Sequence, residues 1–329
     1  MQRGRRNAVK TFLAGSLLPA VYTGPLLAAA YPERPVRVIA PYAPGGTTDF
    51  ITRLIAQNLQ EELGQSFVVE NKPGAGGNIG SNFVVNARPD GYTLLAGSLS
   101  TFALNAAVYQ NLGHDPLTDL VPVAVTTVVP LVLVASPKLK VKDLKGLVAL
   151  LKSHPGLYNY GSSGSGTSSH IAFELFLEQT GTQVVHVPYK GVSQALVDLL
   201  AGNISLLFAS PSVVLEYLKD GRLVALAAIS PNRLKALPNV PTAAEAGFPD
   251  FDAYSWNCLF APKGTPAAAT DTLFAAVQRI LGKPAVIKQL EEQGMLPMLA
   301  KNREETVRYT RAEFARWVPF VKKMNIRLD

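Results

Sequence analysis

The run VRVIAPYAPGGTTDFITRL, Val36–Leu54, reads as a β-strand that turns straight into an α-helix. An alternating apolar stretch enters a Pro/Gly-rich corner, and a helical apolar period begins at once. The corner holds two glycines, two threonines and one aspartate, and no Lys, Arg, His or Cys. Gly45 and Gly46 let backbone N–H groups face a ligand, and the helix that follows points its positive end at the same spot. Thr47 and Thr48 add hydroxyls. Asp49 falls in the first helical turn, where a carboxylate suits the helix dipole.

The same grammar recurs along the chain. Strand-like runs occur at FVVEN, TLLAGS, LYNYGSS, VVHVPY, ISLLFAS and LVALAAI, with helix-like runs between them. Residues 48–63 place Phe50, Ile51, Leu54, Ile55 and Leu59 on one face and stop at Gly64. Residues 168–180 stop at Gly181, and residues 191–201 at Gly202. Alternating βα units predict an α/β fold with largely parallel sheets. Two long extended runs, 121–137 with Pro130 inside and 251–266, read as crossings between lobes. They divide the chain into residues 31–131 plus 252–329 as one lobe and 132–251 as the other. The C-terminal part reads as helical, with Thr265 as N-cap and Pro266 as the first residue of one helix. Thr242 to Glu245 forms a capping box before a very short helix. No short-period sequence repeat is visible.

Residues 1–30 read as an export signal. Arg3, Arg5, Arg6 and Lys10 precede a moderately apolar stretch, and Ala28 and Ala30 suit a small-residue cleavage site. Arg5-Arg6 resembles a twin-arginine signal. Proline and glycine break the apolar stretch, which is too short to span a bilayer. Cleavage there removes four of the 31 basic residues and none of the 24 acidic ones, leaving 27 against 24. With no basic cluster interleaved with aromatics, nucleic-acid binding is not expected. The single cysteine, Cys258, excludes an intramolecular disulfide and a cysteine metal cluster. A soluble, exported monomer is the expectation, with no cofactor or metal.

Two further corners are rich in glycine. ENKPGAGGNIG (70–80) has the wrong spacing for a dinucleotide fingerprint. YGSSGSGTSSHIAFEL (160–175) crowds Ser162, Ser163, Ser165, Thr167 and Ser168 before a helix, with His170 in its first turn. It is neither a nucleophile elbow nor a P-loop. Tyr189, Lys190 and Gly191 form another strand-to-helix corner. No histidines are spaced as a metal pair, and no acids pair within the corners. What recurs is neutral donors at helix N-termini, which hold small anions without transforming them.

Across nearly the whole chain after residue 30, these segments resemble the Bug family, the extracytoplasmic solute receptors of tripartite tricarboxylate transporters. The resemblance rests on YPERPVRVIAPYAPGGTTDFITRLIAQNL, VENKPGAGGNIGSNFV, PDGYTLLAGS, GSSGSGTSSHIAFELF, HVPYKGVSQALVDLLAGNISLLFAS and FAPKGTP. It implies a type II periplasmic-binding-protein fold: two α/β lobes joined by two crossing segments, closing over a small organic carboxylate. It also implies membrane permease subunits as partners and a periplasmic location. Carried over by position, Gly45, Gly46, Thr47 and Asp49 would form the first-lobe ligand loop, with Gly76, Gly77 and Ser98 close by. Ser163, Gly164, Ser165, Gly166, Thr167 and His170 would come from the second lobe, with Tyr189 and Lys190 near the cleft. One departure is Ser205, where the family often has an acid. Two alternatives remain at this level. One is a receptor of the same fold that signals to a membrane kinase. The other is a hydrolase using Ser163 or Ser165 with His170.

Overall fold

The computed structural model describes residues 31–328, so the export segment lies outside the described residues. In chain order the strands are β1 (Val36–Ala40), β2 (Phe67–Asn71), β3 (Thr93–Ser98), β4 (Leu120–Val129), β5 (Leu131–Ala135), β6 (Asn159–Ser162), β7 (Val185–Pro188), β8 (Leu206–Ala209), β9 (Val224–Ile229), β10 (Ser255–Pro262) and β11 (Leu296–Pro297). The helices are α1 (Thr47–Leu63), α2 (Asn78–Val85), α3 (Asn105–Val108), α4 (Pro116–Asp119), α5 (Leu144–Ser153), α6 (Ser168–Thr180), α7 (Val192–Ala201), α8 (Pro211–Lys219), α9 (Ala267–Leu281), α10 (Pro284–Glu292) and α11 (Arg303–Lys323).

The strands form two sheets, ordered β11-β4-β10-β3-β1-β2 and β7-β6-β8-β5-β9. The expectation of largely parallel sheets holds for three neighbouring strands of each. β2, β1 and β3 run parallel, as do β7, β6 and β8. One strand on each crossing runs the other way: β10 is antiparallel to β3 and β4, and β5 to β8 and β9. Pro130 separates β4 in the first sheet from β5 in the second. It has no N–H to donate to a ladder, so the long apolar run can change sheets there. Leu131 already pairs with Ile229 of the second sheet.

The two parallel halves are built alike. β1-α1-β2-α2-β3 and β6-α6-β7-α7-β8 have the same element order and the same strand order, with the first strand central. Helix α1 buries Ile51, Leu54, Ile55 and Leu59 against the sheet, each worth about 1.5–3 kcal/mol of apolar burial. It ends at Gly64, whose N–H donates to the Gln60 carbonyl. Helices α6 and α7 end at Gly181 and Gly202, as their patterns predict.

Helix packing covers both faces of each sheet. One core joins α1, α9 and α10 to the first sheet. Another joins α7 and α8 to the second sheet. A third is continuous between the two sheets, running from Phe102, Trp256 and Phe260 to Tyr160, Phe173 and Phe208. Helix α9 begins one residue later than predicted. Pro266 is its N-cap, and the Thr265 hydroxyl turns back to the Pro262 carbonyl instead. The Thr242/Glu245 capping box forms, with both reciprocal bonds in place, but the chain after it stays in turns.

Candidate functional site

In open α/β sheets, ligands gather at the carboxyl ends of parallel strands. The predicted corners lie there. Gly45–Asp49 follows β1, Gly76 and Gly77 follow β2, and Ser98 ends β3. In the second sheet Ser163–His170 follows β6, and Tyr189 and Lys190 follow β7. Ser210 follows β8.

The corner after β1 is held from inside. Asp49 is 5% exposed. One of its carboxylate oxygens accepts the Gly45 N–H and Arg53 Nε, both at 3.0 Å, and the other accepts Asn71 Nδ2 at 2.8 Å. Burial pushes this carboxyl up, but the Arg53, Gly45 and Asn71 donors outweigh it and hold it below the ordinary carboxylate range. Asp49 thus ties the loop to Arg53 and Asn71 from inside. Gly46, the N-cap, has no side chain to bond the first turn, so the opening amides of α1 keep their donors. Gly45 and Gly46 are exposed, and Thr47 is half-buried.

The corner after β6 uses the same device with a different side chain. The Gly166 N–H donates to His170 Nδ1 at 3.0 Å. Burial, and then the neighbouring His186 ring, lower His170 to about 3, so it is neutral and able to accept. Its ring stacks on His186 with centroids 3.9 Å apart, and Tyr160 continues the column. His186 Nε2 lies 2.7 Å from the buried Ser162 hydroxyl. The Ser163 N–H donates to the Ser169 hydroxyl, and the Thr167 hydroxyl donates to the Gly164 carbonyl. Thr167 therefore gives no side-chain cap to α6. The half-buried Ser165 side chain takes part in none of these bonds.

Two pairs of hydroxyls join the sheets across the cleft. Thr47, the first residue of α1, lies 3.1 Å from Ser210, the N-cap of α8. Ser168, the first residue of α6, lies 3.2 Å from Ser100, just past β3, and bonds Ser255 at 3.3 Å. The contacts are reciprocal: the opening residue of each first helix meets the corner after the other half's third strand. Nearby, the Tyr42 hydroxyl lies 3.0 Å from Ser98. Gly77 presses on Tyr42 and Thr101, where a Cβ would stand 2.6 Å from Thr101 Cγ2 at a φ of 97°. Only glycine fits that contact and that backbone. Gly76 is latched by Asn105 Nδ2, which donates to its carbonyl.

The neighbouring corner, after β7, holds Tyr189 and Lys190. The Tyr189 hydroxyl donates to Asp198 at 2.6 Å, which ties β7 to α7; burial and then Asp198 push it up to about 12. Lys190 is exposed. Ser205 precedes β8 and bonds Asn159 at the start of β6, the end of the sheet away from the cleft. Sequence reasoning missed Tyr42, Ser100, Ser210 and Ser255. For Ser210 a signal was present: Ser-Pro directly after the strand ISLLFA marks a capped helix start. Ser100 and Ser255 carry none, because tertiary packing alone brings them to Ser168.

Among the described residues no group of three or more His, Cys, Asp or Glu side chains could hold a metal. Cys258 is buried, and burial pushes its thiol well up. No helix of the described residues is long and apolar enough to cross a membrane. Neither Ser163 nor Ser165 bonds His170, whose Nδ1 is taken by Gly166. The hydrolase arrangement does not form.

Comparison with known proteins agrees with this fold. Residues 51–326 match the tripartite tricarboxylate transporter family receptor. The chain is 38% identical to protein BugT of Bordetella pertussis over 92% of this chain and 93% of BugT. Among solved structures, a periplasmic transporter is 43% identical at a TM-score of 0.83, covering 91% of this chain and 100% of that one. R. palustris Rpa4515, solved with adipate, is 36% identical at 0.82, covering 89% and 97%. MatC from Rhodopseudomonas palustris, with bound malate, is 33% identical at 0.79, covering 88% and 100%. The fold is the two-lobed α/β fold of periplasmic binding proteins. The chain belongs to the tripartite tricarboxylate transporter receptor family, the Bug proteins, a family of solute receptors and not of enzymes.

Proposed function

We propose that the chain captures a small organic carboxylate between its lobes and delivers it, unchanged, to the membrane permease subunits of a tripartite transporter. The reciprocal meeting of helix starts from two sheets, Thr47 with Ser210 and Ser168 with Ser100, carries this reading. Amide donors at the uncapped starts of α1 and α6, with the hydroxyls of Thr47 and Ser165, would hold the carboxylate through charge-assisted bonds. Gly45, Gly46, Gly76, Gly77, Ser98, Ser163, Gly164, Gly166 and Thr167 would line the cleft. Asp49 and His170 would shape it, with Tyr189 and Lys190 at its edge. Residues 31–131 plus 252–329 and residues 132–251 would be the closing bodies. Contacts made only in the shut state would drive closure. Relatives solved with adipate and malate support a carboxylate ligand.

The proposed route places the mature protein in the periplasm, exported already folded through residues 1–30 by the twin-arginine system. Calorimetric titration of the mature protein with di-, tri- and aromatic carboxylates tests the reading. One acid should bind at a 1:1 ratio; no heat with any of them overturns it. Pull-down from the membrane separates delivery to a permease from signalling to a membrane kinase, the rival role for the same fold.

A further inference from the structure

We infer that Gly294 is a closure-determining residue, which sets how far the second lobe can swing onto the first without touching the ligand. The inference rests on the reading of the molecule as a receptor that closes.

Gly294 lies just past α10 of the first sheet's half, where its N–H donates to the Glu291 carbonyl at 2.9 Å. Across the cleft it meets Pro211, the first residue of α8 in the other half. A Cβ at position 294 would stand 2.6 Å from Pro211 Cγ, and closer still to its Cβ. The pyrrolidine ring is fixed to the backbone and cannot rotate away. The start of α8 would have to move, and it carries Ser210, the partner of Thr47. One added methyl at the rim therefore separates the hydroxyl pair that joins α1 to α8. A second contact lies on the same rim: Lys235, from the chain after β9, pairs with Glu291 of α10 at 2.9 Å. Its lysine is 77% exposed, so the ion pair adds little. Steric fit at Gly294 is the controlling feature.

Backbone strain is a separate cost that the test must remove. Gly294 has a φ of 68°, so any other residue is strained there whether the lobes are open or shut. Gly64, in the same half, has a φ of 70°, yet a Cβ there meets nothing within 4 Å. Gly64→Ala therefore carries the strain without the clash.

The test needs no ligand. A Thr47→Cys/Ser210→Cys pair is oxidised under mild conditions, and the rate of cross-linking between the lobes reports closure. The pair should cross-link readily in the parent and in the Gly64→Ala background. Gly294→Ala should slow cross-linking at least tenfold, and adding Pro211→Gly should restore most of the rate. Cross-linking of Gly294→Ala at the parent rate overturns the inference, as does a parent pair that never cross-links. Circular dichroism confirms that each variant is folded. Carboxylate titration of the parent, run separately, decides the receptor reading itself. A parent that binds an acid while Gly294→Ala closes normally would sink the rim contact alone.

Discussion

The corner after β1 and the corner after β6 solve one problem with different chemistry. In each, a glycine one residue before the N-cap donates its N–H to the side chain four residues on, the third residue of the helix. Gly45 donates to Asp49, and Gly166 to His170, both at 3.0 Å. One acceptor is a carboxylate, steadied by Arg53 and Asn71. The other is a neutral imidazole, steadied by stacking on His186. The position demands an acceptor, not a charge. Each solution leaves the start of its helix without a side-chain cap.

The largest expected effect falls on the charged clasp. Asp49→Ala should cost about 2–3 kcal/mol, because it strips a charged acceptor from two amide donors and a guanidinium. Asp49→Asn should recover part of that loss, since an acceptor remains. Denaturant unfolding measures both, and an unchanged midpoint for Asp49→Ala would break the comparison on the first-lobe side. On the other side, His170→Ala should cost about 1–3 kcal/mol through the unpaired Gly166 amide and the lost stack.

Acid should separate the two corners. His170 and His186 are lowered, mainly by burial, to about 3 and about 4, from an ordinary value of 6.5. Between those limits the unfolded chain binds protons that the folded chain refuses, so stability is full above pH 6.5 and falls as pH drops. The slope is about 1.4 kcal/mol per pH unit for each histidine at most. The Asp49 carboxyl is also lowered, from 3.8. Its contribution therefore lasts until the pH falls below that value. His170→Gln should flatten the loss between pH 6.5 and 4, and Asp49→Asn should leave that window alone. Thermal melts across pH 3–8 check this; a wild-type curve flat down to pH 4 would contradict it.

The smallest effect is expected at Ser205. Its bonds go to Asn159, at the far end of β6 from the cleft. Ser205→Asp, which puts a carboxylate at this far end, should change carboxylate affinity by less than about 0.5 kcal/mol. A larger change in titration would mean that the two ends of the sheet are coupled.

Much of this was legible in sequence. Helical periods and glycine stops placed α1, α6 and α7 within a residue, because apolar faces and αL caps are local signals. The Gly-rich corners were visible for the same reason. The reciprocity of the two halves was not, since matching strand order needs no matching residues: Asp49 and His170 share a role but no chemistry. Antiparallel pairing of the crossing strands was also hidden, because direction is set by which sheet a strand joins. Ser100 and Ser255 reach Ser168 only through tertiary packing. Thr265 showed the limit of cap reading: its hydroxyl found the Pro262 carbonyl first.

Affinity for one carboxylate, measured in parallel on wild type, Thr47→Ala and Ser165→Ala, most directly tests whether both lobes grip the same anion with neutral donors. Each single change should weaken binding of the same acid by about 0.5–1.5 kcal/mol. If only one lobe's variant alters affinity, or if neither does, the shared grip is wrong.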